Sequence, residues 1–546
     1  MRPERRWPEI GTVGWLVVAG CLIALVLVIF GWLVSSGLRT GGGSADEASL
    51  VAVAPSATPM RDPSTVVASV SAGGVTPSAS PLPSATPDPG PTATNTRRPM
   101  PTAAPATPTP TEPAPTATPE PASIATPPFF GVAMRRIIDE TGLQQAQDAG
   151  VQLVRHHHVS WAALEPVRTE PPTYEWGAAS TLKLEQDLEQ AARANIEVML
   201  PILFTPEWAQ AVPGHRCGAI RDDRLDEFAQ FLTALVERYS QPPYEVRFWE
   251  LFNEPDVDPA LVPPDSIFGC WGDDADENYG GTRFAGMLEQ AYAAIKQADP
   301  EAQVVLGGLL LDAPEGRPTN FLRGVLEAGG GDHFDILAFH AYDFYHPELY
   351  NWSTSPLSKW VDRGGTAVGK AAFLRQMLAA YGYEKPLVLN EAGLAWGMEG
   401  EPTEAYRRAQ ADYVVKLHAR ARAIDLASVV WFGWQGPGWR YMALLNRDLS
   451  PTPAYHTYAL AIRRLDGVEY VGPTDYAGIE GYRFRDDGGV LAVIWPVDGQ
   501  EREVRVPADK FRRAVVCDGT AAVTRIEGDE VVIVTDRPLY LELVSQ

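Results

Sequence analysis

Cysteine is nearly absent, with 4 residues in 546, and so small a number rules out a disulfide framework as the basis of the fold. Basic residues are in deficit: 45 Lys and Arg stand against 69 Asp and Glu, a formal net charge of -24. An excess of that sign repels phosphate backbones, which excludes nucleic acid as a partner and leaves solubility as the main consequence. No glycine-rich phosphate loop follows an early strand, as a doubly wound nucleotide-binding sheet would require. His156 and His158 share a strand face, but no acid or cysteine stands at matching spacing. Neither a metal nor a cofactor is therefore expected. Large aliphatic and aromatic side chains are also scarce in residues 41–127, where Pro, Thr, Ala and Ser dominate. Such a stretch cannot offset its ordering entropy, so a disordered stalk is expected, up to about 260 Å long if fully polyproline. Its Ser/Thr and Pro content suits O-glycosylation.

What the chain does contain begins with an apolar run from Gly11 to Ser36, preceded by Arg2, Arg5 and Arg6. It is long enough for a ~30 Å hydrocarbon core, and the arginines place the N-terminus in the cytoplasm. Residues 1–40 are thus expected to be a single-pass membrane anchor, with the rest of the chain extracellular. Val18-Ala19-Gly20-Cys21 resembles a lipoprotein cleavage site, but the run stays apolar beyond Cys21. An uncleaved anchor is favoured, and cleavage or lipidation at Cys21 stays open.

The stretch Phe248-Trp249-Glu250-Leu251-Phe252-Asn253-Glu254-Pro255 reads as a buried strand closed by an acid, since Pro255 cannot continue a ladder. A second apolar run, Pro386 to Asn390, ends in Glu391. Two glutamates, each closing a strand, suit glycoside cleavage, in which one carboxyl protonates the leaving oxygen and the other attacks the anomeric carbon. Strand candidates at 129–134, 151–157, 196–204, 246–254, 303–310, 334–342, 386–393 and 428–434 alternate with amphipathic helical runs. Eight such units over residues 128–465 have the count and size of a (β/α)₈ barrel. Arg155, Asn253, Glu254, His340, Tyr342, Glu391 and Trp434 fall at carboxyl ends of these strands, the face where barrel active sites form.

The stretches VRHHHVSW, WELFNEPD, FHAYDFY, VLNEAG and VVWFGWQ, in that order, resemble the retaining (β/α)₈ glycoside hydrolases that carry Asn-Glu-Pro on strand four, including the cellulase-like and β-xylosidase-like families. The resemblance implies that Glu254 is the acid/base and Glu391 the nucleophile. It further implies that Asn253 binds the sugar 2-hydroxyl and that Arg155 keeps Glu391 ionised. His340 and Tyr342 would hydrogen-bond nucleophile and substrate, and Trp434 would be the stacking platform. Trp208, Trp271, Trp396 and Trp439 stand in βα loops, either lining outer subsites or packing the loops. The implied activity is hydrolysis of β-glycosidic bonds in an oligo- or polysaccharide, with the sugar, linkage and exo or endo action unspecified. A non-catalytic carbohydrate-binding pseudoenzyme, or a surface adhesion protein on the same barrel, is the alternative.

Residues 466–546 read as short strands with turns, including a hairpin signal at Asp486-Asp487-Gly488-Gly489. A small antiparallel β-sandwich is expected, structural rather than carbohydrate-binding, since only Trp495 and a few tyrosines could form a platform. Cys217 and Cys270 lie in the loops after strands three and four, which are neighbours in a barrel. Outside the cell they are expected to form a disulfide at the rim of the cleft, leaving Cys21 and Cys517 unpaired.

Overall fold

The computed structural model describes residues 124–544 apart from 311–314, 356–357 and 487. The expected anchor, and the expected stalk as far as residue 123, lie outside the described residues. Among those described, no helix is long and apolar enough to cross a membrane.

Eight parallel strands each precede a helix. They are β1 (Phe130–Met134), β2 (Leu153–His156), β3 (Glu197–Leu203), β4 (Phe248–Leu251), β5 (Gln303–Leu309), β6 (Ile336–Tyr345), β7 (Leu387–Trp396) and β8 (Ser428–Trp431). The helices are α1 (Leu143–Ala149), α2 (Ala179–Arg193), α3 (Leu225–Tyr239), α4 (Gly281–Ala298), α5 (Asn320–Glu327), α6 (Thr366–Ala380), α7 (Glu404–Ala423) and α8 (Pro453–Leu465). Each strand pairs with the next and β8 pairs with β1, closing a (β/α)₈ barrel. Every second strand residue points inward. Leu153, Met199, Phe248, Val305, Ile336, Ala338, Val388 and Val430 fill the interior in this way. The helices face the strands with apolar stripes; in α3 the stripe is Phe228, Phe231, Leu232, Leu235, Val236 and Tyr239, at three- and four-residue spacing.

Two strand ends differ from the sequence reading. The β4 ladder stops at Leu251, three residues before Glu254. Phe252 and Glu254 take left-handed φ values of 65° and 49°, which turn the chain out of the sheet. The backbone is held there instead by Glu254 N–H donating to the Gly308 carbonyl at 3.0 Å. β7, conversely, does not end at Glu391 but runs on to Trp396. Its register against β6 steps from Phe339↔Leu389 to His340↔Glu391, so Asn390 is an extra residue in the ladder. This bulge aims Glu391 across the barrel mouth.

Eight further strands follow: β9 (Glu469–Pro473), β10 (Ile479–Asp486), β11 (Gly489–Pro496), β12 (Arg502–Pro507), β13 (Phe511–Val516), β14 (Val523–Glu527), β15 (Glu530–Thr535) and β16 (Leu539–Leu543). They form an antiparallel five-stranded sheet, ordered β9-β10-β11-β16-β13, and a three-stranded sheet, β12-β15-β14. The β10–β11 pair reaches Asp486↔Gly489 at the hairpin signal, while Asp487 lies outside the described residues. These strands cover α7, whose outer face would otherwise be wet. Asp412, Lys416 and Arg420 on that helix are no more than 4% exposed. Arg420 meets Glu480 at 2.7 Å and Arg537 meets Asp412 at 2.7 Å. Unpaired, these buried charges would each be costly, so the contacts specify how sheet and barrel dock. Trp495 is fully buried and lies 5.3 Å from the Arg420 guanidinium, so it offers no platform to a sugar.

Candidate active site

The inward alternation of β2 that buries Leu153 places Arg155 two residues on, just below the mouth. Its guanidinium is held from three sides. Nε donates to Glu250 Oε2 and Nη2 to Glu250 Oε1, both at 2.7 Å, while Nη2 also reaches Asn253 Oδ1 at 2.7 Å. The remaining nitrogen, Nη1, donates to Glu391 Oε1 at 2.6 Å. Burial alone would lower the pKa of Arg155, but the charges and hydrogen bonds of Glu250, together with Glu391, outweigh it and raise it. The cation is permanent. Tyr342 donates its hydroxyl to Glu391 Oε2, and burial together with the Glu391 charge keeps that phenol protonated. Both oxygens of Glu391 are therefore hydrogen-bonded, one by Arg155 and one by Tyr342.

Glu254 has a different neighbour. Its Oε1 lies 2.6 Å from His340 Nδ1, which is 3.5 Å from Glu391 Oε2. Burial pushes His340 down to about 4, so its ring is neutral at neutral pH and the contact with Glu254 is a hydrogen bond. Nδ1 donates when Glu254 is ionised and accepts when Glu254 carries the proton. One oxygen of Glu254, one of Glu391 and a ring nitrogen of His340 all lie within 4.8 Å of one another. Three such donors suffice in number for a metal, but a cation there would face the Arg155 charge already on Glu391.

Glu250, Gly308 and Asp256 carry roles the sequence reading did not assign. Glu250 is fully buried and also accepts from Asn390 Nδ2 at 3.0 Å, so it ties Arg155 to the bulge beside Glu391. Its signal was strand parity, since Glu250 shares the inward face with Phe248. Gly308 is required by close approach: a Cβ there would stand 2.1 Å from His340 Nε2 and 2.6 Å from Asn390 Oδ1. Asp256 accepts from Leu310 N–H at 3.0 Å, and burial raises its pKa to about 7.

The aromatic assignments need correction. Trp434 is only 2% exposed and donates Nε1–H to the Gly142 carbonyl at 3.0 Å, leaving no face for a sugar. The rings beside Tyr342 are instead Trp439 and Phe432, with centroids at 5.1 and 5.8 Å. Trp439 is 38% exposed and Phe344 is 48% exposed beside it. Trp271 is buried against Phe252 and Phe284, and Trp396 is stacked on Tyr345, so both pack loops rather than line subsites. Trp208 is half-buried, donating to the Glu165 carbonyl at 3.1 Å.

Cys217 and Cys270 are disulfide-bonded, and Cys517 is free and buried. The bridge joins the loops after β3 and β4. Its loop also supplies Gly269 and Trp271, whose N–H groups donate to the Glu254 and Pro255 carbonyls.

The family model for cellulase (glycosyl hydrolase family 5) matches residues 117–436. Among solved structures, a family 39 glycoside hydrolase from the gut symbiont Bacteroides cellulosilyticus WH2 aligns with a TM-score of 0.59 at 18% identity, covering 77% of this chain and 81% of that one. The catalytic domain of a GH30 xylanase C from Talaromyces cellulolyticus aligns at 0.54 and 12% identity, covering 78% and 98%. A GH39 enzyme from Xanthomonas axonopodis pv. citri aligns at 0.52 and 16%, covering 78% and 96%. At such identities the likeness is one of fold. No curated protein sequence matches the chain.

Proposed function

The chain belongs to the cellulase family, glycosyl hydrolase family 5, and on that premise we propose that it is a glycosidase that cleaves β-glycosidic bonds with retention of configuration. Glu254 is the acid/base and Glu391 the nucleophile. The observation that carries this reading is the approach of their carboxyl oxygens to within 4.8 Å. Retaining enzymes hold the two carboxyl groups about 5–5.5 Å apart, whereas inverting ones need about 6.5–9.5 Å to admit a water.

In the first step Glu254 gives its proton to the leaving oxygen as Glu391 bonds to the anomeric carbon. In the second, Glu254 takes a proton from water, which displaces Glu391 from the glycosyl-enzyme. Arg155 and Tyr342 stabilise Glu391 as the departing carboxylate. Asn253, fixed by Arg155 through its Oδ1, donates one amide N–H to the Ile267 carbonyl at 3.4 Å and has the other to offer the sugar 2-hydroxyl. Trp439 and Phe432 supply the apolar face of the site.

The N-terminal apolar run and the Pro/Thr-rich stretch after it suit a membrane anchor and stalk that hold the barrel outside the cell. The disulfide accords with that oxidising location.

Chemical rescue tests the roles. Glu391→Ala should abolish turnover of aryl β-glycosides by the full chain, and azide should restore it with formation of an inverted glycosyl azide. Glu254→Ala should keep activity only on substrates with very good leaving groups, which need no proton. Identical behaviour of the two variants on an activated aryl glycoside would refute the assignment.

A further inference from the structure

Arg135 and Arg136 are adjacent at the end of β1 but differ in environment. Arg136 is neutralised by Asp187, 2.8 Å away. Arg135 is exposed and has no carboxylate within ion-pair distance among the described residues. Ala133 faces the barrel interior, and Arg135, the residue directly after β1, lies close enough to His157 and His158 for its charge to act on both rings. On β2, whose register sets Ala133 beside Arg155, His157 is the corresponding residue above Arg155.

Three more side chains extend this corner. The His158 ring is 4.3 Å from that of His157 and 5.0 Å from that of Phe204, which directly follows β3. Across Phe204 lies the exposed Arg216 guanidinium, 4.9 Å from the ring centroid and also without a carboxylate partner among the described residues. Arg216 is fixed through its backbone, its N–H donating to the Pro264 carbonyl at 2.9 Å, and by the disulfide at Cys217. His158 Nδ1 is buried without a partner. Burial and the neighbouring His156 push His158 down to about 4, so the ring is neutral near pH 7 and the standing charge comes from the two arginines.

We propose that this corner, formed by Arg135, His157, His158 and Arg216 at the ends of β1, β2 and β3, binds an anionic substituent of the saccharide, a uronic carboxylate or a sulfate ester, on a unit next to the one being cleaved. The inference rests on the glycosidase reading and adds a substrate class to it. In a chain of net charge -24, two arginines left unpaired at the catalytic mouth are poorly explained by folding. A neutral glycan would leave them solvated and unused. An anion gains charge-assisted hydrogen bonds from both, with the imidazole N–H groups as further donors. The corner lies on the β1–β3 side, whereas the open aromatic rings Trp439 and Phe344 belong to the β6 and β8 side. A chain crossing the mouth would thus meet an apolar wall at one end and a cationic one at the other.

The test uses the full chain carrying Glu391→Gln, so that binding is read without turnover. Calorimetric titrations compare xylo- and cello-oligosaccharides that are plain, carry a uronic-acid branch, or carry a sulfate ester. The proposal expects a charged form to bind roughly ten-fold tighter than the plain one at low salt, with the advantage lost in 0.5 M NaCl. A preference for the uronic branch alone, or for the sulfate ester alone, names the anion. Adding Arg135→Ala and Arg216→Ala should remove the advantage while changing the affinity for plain oligosaccharide less than two-fold. Equal affinity for plain and charged forms, or equal losses for both in the double arginine variant, would overturn the proposal. Because binding is measured apart from hydrolysis, an inactive wild-type chain would count against the glycosidase reading without deciding this one.

Discussion

Single side chains divide the labour of the site. Glu254 and Glu391 are chemically identical, yet one faces a neutral imidazole and the other an arginine and a phenol. Glu250 holds this division in place without reaching the substrate, since it takes two of the four contacts of Arg155. Glu250→Gln preserves shape but removes the charge, leaving a buried guanidinium underpaired. Breaking a buried pair of this kind costs about 3–5 kcal/mol. A shift of Arg155 relative to Glu391 should cost about 100-fold in kcat/KM. Denaturant unfolding and steady-state kinetics check both, and a variant with unchanged kcat/KM would remove Glu250 from the account. Glu254, Glu391, Arg155, His340 and Tyr342 could be picked out in the sequence because each is a polar residue closing or interrupting an apolar run. Glu250 was hidden inside such a run. Trp434 misled because alternation ceases at Gly433, whose φ of 94° turns the chain after β8.

At the scale of elements, eight strands and eight helices were legible as alternating periodicities, and all eight strands pair in the inferred order. The irregularities were not legible. Gly307-Gly308 in β5 and Asn390 in β7 each add a residue to their ladders, as the register steps Leu306↔Leu337 to Leu309↔Phe339 and Phe339↔Leu389 to His340↔Glu391 show. A glycine pair in a strand signals a bulge or a close approach, but only the packed neighbours reveal which group approaches. For Gly308 that group is His340, so Gly308→Ala would displace the imidazole that is hydrogen-bonded to Glu254. We expect at least a ten-fold loss in kcat/KM for unactivated substrates, which need the proton, and a smaller loss for activated aryl glycosides. Equal losses on both would point to general disruption instead.

Across the whole molecule, buried titratable groups link stability to pH. Burial holds His158, His340 and His418 at about 4 each, against 6.5 for an exposed imidazole. A depressed folded pKa means that the unfolded chain binds more protons between those values. The stabilisation is complete above about 6.5 and is lost as pH falls through about 4. Asp256, raised to about 7 from 3.8, acts oppositely: its contribution is full below 3.8 and is lost as pH rises through about 7. With His157, pushed down by burial to about 3, four imidazoles stand against the two raised carboxyls, Asp256 and Glu165, so stability rises from pH 4 to 6.5. The thermal midpoint should follow, and His418→Leu, in the core beside Phe130, should flatten the slope by about one proton. A midpoint that is flat or falling over that interval would contradict the burial of these rings.

The stereochemistry of the first product tests the central claim most directly. Proton NMR of the anomeric region, recorded during hydrolysis of an aryl β-glycoside by the full chain, distinguishes the product before mutarotation. The β-anomer is predicted to appear first, because an oxygen of Glu254 within 4.8 Å of one of Glu391 fits the close carboxyl spacing of retaining enzymes better than the wider spacing that admits a water. Initial formation of the α-anomer would contradict the account.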